Sequence, residues 1–172
     1  MYKPALEDFY KLPIENVMKK TGYAVLHKDT SVDEVLETLI DFGHIWVTEH
    51  LNSTRVVGII ARKDFVDMSL PPQFEKKSTP GRAEAKTLYY EGALVTAEDM
   101  MTKNIITADI GVDVKEVLRL MSSYFVRQLP VVRNDELVGE VSMRDLIRNY
   151  VEVYKYTRKQ EPPEKDPCRD DS

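Results

Sequence analysis

Apolar residues along the chain recur with two periods. Val32, Val35, Leu36 and Leu39 fall at helical spacing, and so do Val114, Val117, Leu118 and Met121, which predicts two amphipathic helices. HIWVTE from His44 and QLPVVR from Gln128 read as buried strands, each turning through NST or NDE into a glycine-bearing run, RVVGII or ELVGEV. AVLH and IITA are short β-rich runs, and ENVMKK and EDMMTK each suggest one helical turn. Closing helices are expected to begin near Arg62 and Met143, the second running on through MRDLIRNYVEVYKYTRKQ. Pro130, inside its run, predicts an edge position or a strand start.

The same order of elements occurs twice. Gly58 and Gly139 stand at the same interval as Asp64 and Asp145. SVDEVLETL matches DVKEVLRLM, and VMKK at Val17 matches MMTK at Met100, with small drifts that loop insertions would leave. The repeats are placed at residues 12–68 and 96–152, with a spacer, 69–95, and a helix extension and tail, 153–172. The spacer carries Pro71-Pro72 and Pro80-Gly81 and exceeds the usual loop, so it reads as a flap or a disordered segment, its end pinned by Tyr89, Tyr90 and Leu94. A unit of the form β-α-β-β-α cannot easily bury its apolar face alone. The expected fold is therefore α/β (α+β), two units packed sheet to sheet about a pseudo-twofold axis, with one shared core and two equivalent clefts.

Composition narrows the function classes. The chain is 42% hydrophobic and 31% charged, with net charge −5, which opposes general attraction to nucleic acid or anionic membranes. The basic residues Lys76, Lys77, Arg82 and Lys86 are the local exception. One cysteine, Cys168, excludes an internal disulfide and fits a reducing, cytoplasmic setting. No apolar run reaches the roughly 18 residues of a membrane span, and the first residues lack signal-peptide features.

The chemistry concentrates where strand meets closing helix. Asp145 and Asp64 both stand there, and an ionised carboxylate accepts both hydroxyls of a cis-diol in charge-assisted bonds. The helix mouth suits phosphate, Ser142 adds a hydroxyl and Arg144 a guanidinium, and Ile105, Ile106, Val131 and Val141 are candidates to sandwich a flat purine. The alternative is a capping box, Ser142 with an acid three residues on, which stabilises a helix by roughly 0.5–2 kcal/mol without any ligand. Asp64 persists although Ala61 cannot cap, which favours a ligand. Arg127 is a candidate for phosphate contact, and Arg62 and Lys63 for replacing the missing hydroxyl of the first repeat. His44, Glu49 and His50 lack a zinc-protease spacing, His27 stands alone, and no catalytic constellation is visible.

The tandem order, the LPVV-type strand from Leu129 and the ending Gly139 to Asp145 resemble a CBS-domain pair, or Bateman module, over residues 12–68 and 96–152. The resemblance implies a regulatory, non-enzymatic module that binds an adenosine-containing ligand, AMP, ADP, ATP or S-adenosylmethionine, in clefts between the repeats. It implies that Asp145 and Asp64 hold the ribose diol, that Ser142 lies near phosphate and that Thr107 frames the base. The first repeat has Ala61 and Val25 at the last two positions, so the Asp145 site ranks first. A homodimer and an effector protein addressed in trans are expected, since no effector domain accompanies the repeats. The competing class is an interaction scaffold with vestigial clefts, followed by nucleic-acid binding.

Overall fold

The computed structural model describes residues 3–69 and 96–160. The spacer, the tail and the residues named on them, Lys76, Lys77, Arg82, Lys86, Tyr89, Tyr90, Leu94 and Cys168 among them, lie outside the described residues. The first repeat runs through a 3₁₀ turn (Ile14–Asn16), β1 (Ala24–His27), α2 (Val32–Asp41), β2 (His44–Thr48), β3 (Val56–Ala61) and α3 (Arg62–Ser69). The second runs through α4 (Ala97–Met100), β4 (Thr102–Lys103), β5 (Ala108–Asp109), α5 (Val114–Tyr124), β6 (Gln128–Arg133), β7 (Glu136–Ser142) and α6 (Met143–Gln160). Both closing helices start where the pattern puts them. α2 and α5 are capped by Ser31 and Asp113, whose side chains accept from the N–H groups of Glu34 and Glu116. The β6–β7 turn places Asn134 and Asp135 at positive φ, the geometry a tight hairpin demands of the residues its NDE run supplies.

Two sheets form, ordered β1-β2-β3-β4 and β5-β6-β7. In each, the first strand runs parallel to the second and the hairpin is antiparallel. The repeats exchange their leading segments. β4 belongs to the second repeat but pairs with β3 of the first, and Lys19 of the first repeat bridges Glu140 on β7 of the second. The core is correspondingly two clusters rather than the single one expected. Val35, Leu39, Ile45, Val47 and Ile60 pack with Ala97 and Met100 of the second repeat. Ile14, Val17 and Met18 of the first repeat pack with Val114, Val117, Leu129, Val131 and Val141 of the second. Two sheets too small to bury both faces alone each take an apolar turn from the other.

The glycines of the repeated motif explain themselves here. A Cβ at Gly139 would come within 2.6 Å of the Lys19 carbonyl, and one at Gly58 would collide with the Met101 side chain. Each glycine lets the borrowed segment cross its strand.

Three details depart from the sequence reading. β6 is the central strand of its sheet, so Pro130 is at no edge; β5 first pairs at Val131, and the missing N–H of Pro130 falls beyond its end. In IITA only Ala108 joins a strand, leaving residues 105–107 irregular. An additional helix, α1 (Lys3–Tyr10), buries Ala5 and Phe9 and packs on α6, with the Phe9 ring edge-on to Tyr150 at 5.4 Å.

Candidate functional site

The exchange of segments builds a cleft between the repeats, of about 390 Å³. Trp46 on β2 faces Ile59 on β3 in register, and together they form its first-repeat wall. Thr102 on β4 lies beside Ile59 in the same sheet, Ile105 and Ile106 follow it along the chain, and Tyr124, Val126 and Gln128 complete the lining from the second repeat. Ala61, two residues beyond Ile59, shares its face of β3. At the head of α3, Asp64 Oδ2 accepts the Ala61 N–H at 2.8 Å. An apolar slot thus stands close in the chain to a carboxylate at a helix mouth.

The pseudo-equivalent place in the second repeat is built differently. The hairpin register sets Pro130 opposite Glu140, where the first repeat has Trp46 opposite Ile59. Lys19 lies against Glu140 as Thr102 lies against Ile59. Glu140 is 3% exposed. Its Oε2 accepts the Trp46 indole N–H at 2.9 Å and lies 2.8 Å from His44 Nε2, which therefore carries its hydrogen there. Oε1 lies 3.9 Å from the Lys19 ammonium. Burial pushes the Glu140 carboxyl up, but the bonds from His44 and Trp46 and the charges of His44 and Lys19 outweigh it, leaving the pKa below the usual value. Tyr23 titrates above its ordinary range, first because it is partly buried and then because Glu140 lies near.

Asp145 closes the same network. Its Oδ2 accepts from both the N–H and the hydroxyl of Ser142, and its own N–H donates back to Ser142 Oγ at 3.3 Å. That is a complete capping box. Oδ1 lies 3.5 Å from Lys19 Nζ and 3.8 Å from Arg148, and the carboxylate is 2% exposed. One ammonium therefore bridges Glu140 and Asp145.

The model of the CBS domain matches residues 14–70 and 97–152. The chain belongs to the CBS domain family. Among solved structures, this CBS pair is similar to CBSX2 in complex with AMP, at 20% identity and a TM-score of 0.67 over 84% of this chain and 99% of that one. It is similar to the CBS domain pair of protein MJ0100 in complex with 5'-methylthioadenosine and S-adenosyl-L-methionine, at 22% identity and a TM-score of 0.61 over 83% and 98%. The CBS domain of a CBS domain-containing membrane protein from Sphaerobacter thermophilus matches at 23% and 0.63 over 85% and 92%. These likenesses share the fold. An uncharacterised protein of Methanopyrus kandleri is 38% identical over 61 residues, 35% of this chain and 30% of the relative's length.

Within the CBS pair, the residues expected at one ligand site differ in exposure and in their partners. Ile105 and Ile106 line the open cleft with Trp46 and Ile59 of the first repeat and with Gln128, which the strand register sets opposite Ser142. Val131 and Val141 have no exposure and belong to the core, so they offer no purine a surface. Thr107, Arg127 and Arg144 are exposed. In the first repeat, the Arg62 guanidinium is turned to the carbonyls of Leu39 and Ile40 at the end of α2, at 3.0 and 2.9 Å. Lys63 pairs with Asp67 at 2.8 Å, and Val25 is 40% exposed on β1. The polar cluster of Glu140, Trp46, His44 and Lys19 escaped the sequence reading; its one signal is a Glu aligned with Ile59. Among the described residues no three His, Cys, Asp or Glu side chains converge to hold a metal ion, and no helix is long and apolar enough to cross a membrane.

Proposed function

We propose that this CBS pair is a regulatory module that binds an adenosine-containing ligand in the open cleft between its repeats and conveys occupancy to a partner protein. The carrying observation is that both repeats build the cleft: apolar walls from β2, β3 and residues 102–106, with Asp64 at the neighbouring helix mouth. About 390 Å³ suits a small-molecule pocket. The isoleucines fit a purine face, the Asp64 carboxylate a ribose diol, and the head of α3 a phosphate. AMP in one structural relative and S-adenosyl compounds in another support this ligand class. The Asp64 cleft ranks above Asp145 because Lys19 bridges the Asp145 carboxylate to Glu140, whereas Thr102 takes the matching place beside Ile59. A ligand touching both repeats biases their packing, limited by its differential affinity for the two arrangements. The module is read as non-enzymatic, cytoplasmic and homodimeric.

Thermal unfolding with AMP, ATP, 5'-methylthioadenosine and S-adenosylmethionine tests the reading. Saturation at 100 times the dissociation constant contributes about 2.7 kcal/mol. That stabilisation should disappear in Asp64→Asn, and no shift with any of the four refutes the proposal. A second reading, an interaction scaffold indifferent to nucleotides, is favoured by Arg62 and Lys63 both being turned to protein partners. Partner capture that is unaltered by those ligands would select it.

A further inference from the structure

We infer that the second cleft is filled from within, so that the CBS pair takes one ligand per chain, and that Glu140 is the residue that decides this. The inference rests on the open cleft being the ligand site. The two places correspond residue by residue, Ile59 to Glu140, Trp46 to Pro130, Thr102 to Lys19 and Ala61 to Ser142. Where the first offers an isoleucine to a base, the second offers a buried, ionised carboxylate. A purine laid there would have to displace the His44, Trp46 or Lys19 groups that pair this buried charge.

The occupant is already part of the chain. Lys19 Nζ lies between Glu140 at 3.9 Å and Asp145 at 3.5 Å, against the carboxylate a diol would seek. A sugar would have to displace this ammonium and draw Asp145 out of its bonds with Ser142. Nor can Glu140 swing aside freely. It accepts the indole N–H of Trp46, a residue 1% exposed, and moving it would strand that donor. Trp46 lines the open cleft while its N–H holds the plug of the closed one.

Isothermal titration of the full chain with AMP, paired with crystals grown in excess AMP, provides the test. The wild type should saturate at one AMP per chain, with density in the open cleft alone. Asp64→Asn should weaken binding at least tenfold, and Asp145→Asn should leave affinity within about twofold and the stoichiometry at one. The double substitution Lys19→Thr with Glu140→Ile copies the residues of the open cleft and should raise the count to two, the added site being lost again on Asp145→Asn. Two sites in the wild type, density in both clefts, or a folded double variant that stays at one would each overturn the inference. A wild type that binds no AMP and none of the other three adenosine ligands would instead overturn the proposed function, and this inference with it. Should the double variant not fold, the crystals decide by the number of clefts filled.

Discussion

Glu140→Ala tests the cluster that joins the repeats. The carboxylate is 3% exposed and holds its two closest donors at 2.8 and 2.9 Å. Truncation leaves the Trp46 N–H buried without an acceptor, which costs about 1–3 kcal/mol. His44, with a side chain 17% exposed, rehydrates only in part. Lys19, 37% exposed and 3.9 Å away, keeps Asp145 at 3.5 Å, and its loss of Glu140 contributes at most about 1 kcal/mol. Together these give about 2–5 kcal/mol, reaching the range of about 3–5 kcal/mol for breaking a buried charged pair from one side. Glu140→Gln keeps an acceptor for the indole and should cost less than about 2 kcal/mol. Trp46 is the only tryptophan in the chain, so its emission during urea unfolding reports on this cluster directly, with far-UV circular dichroism as the global probe. An alanine variant within about 0.5 kcal/mol of wild type, no more than an inert surface change, would refute the argument.

Other outcomes follow from the same geometry. Gly139→Ala drives a methyl into the Lys19 carbonyl and strains the paired backbone bonds between Lys19 and Glu140, at 2.8 and 2.9 Å; urea midpoints should show a loss of about 1–3 kcal/mol. Gly58→Ala meets the Met101 side chain, which can swing away, and should cost less. Because the Glu140 pKa is lowered on folding, its stabilisation is complete above the unfolded value of about 4.3 and is lost as pH falls through the folded one. The stability difference between wild type and Glu140→Gln, measured in acid titrations, should therefore be flat above about pH 6 and collapse below pH 4; a constant difference throughout would contradict the assignment. Phe9→Ala, at a residue 4% exposed, should cost about 3–5 kcal/mol in chemical unfolding, and a negligible change would show that α1 does not hold α6.

What the chain discloses without coordinates depends on whether a signal is periodic or positional. The two-fold repetition, the amphipathic faces of α2 and α5, the hairpins and the heads of α3 and α6 all follow from local pattern and were legible. Helix α1 carries only a short local trace, Ala5 and Phe9 one turn apart, too brief a pattern to set it apart from a loop. The grouping of side chains into clefts was not legible. It depends on which repeat each leading segment pairs with, and the long-range bonds of Lys19 to Glu140 and of Thr102 beside Ile59 leave no periodic trace. Hence no local signal brings Trp46 and Ile59 of the first repeat into one cleft with Ile105 and Ile106 of the second. The capping role of Ser142 and Asp145 was weighed from spacing alone, and the geometry supplies it in full.

The lending of a turn by each repeat to its neighbour makes half of this molecule an unfinished object. A fragment ending at Ser69 would keep Ile14, Val17 and Met18 without the second-repeat residues that pack on them and would lack Ala97 and Met100 beneath its own sheet. Chain scission between the repeats should therefore yield pieces that recover their shape only in each other's company. The same debt allows two intact polypeptides to trade halves, so the heritable module is the pair.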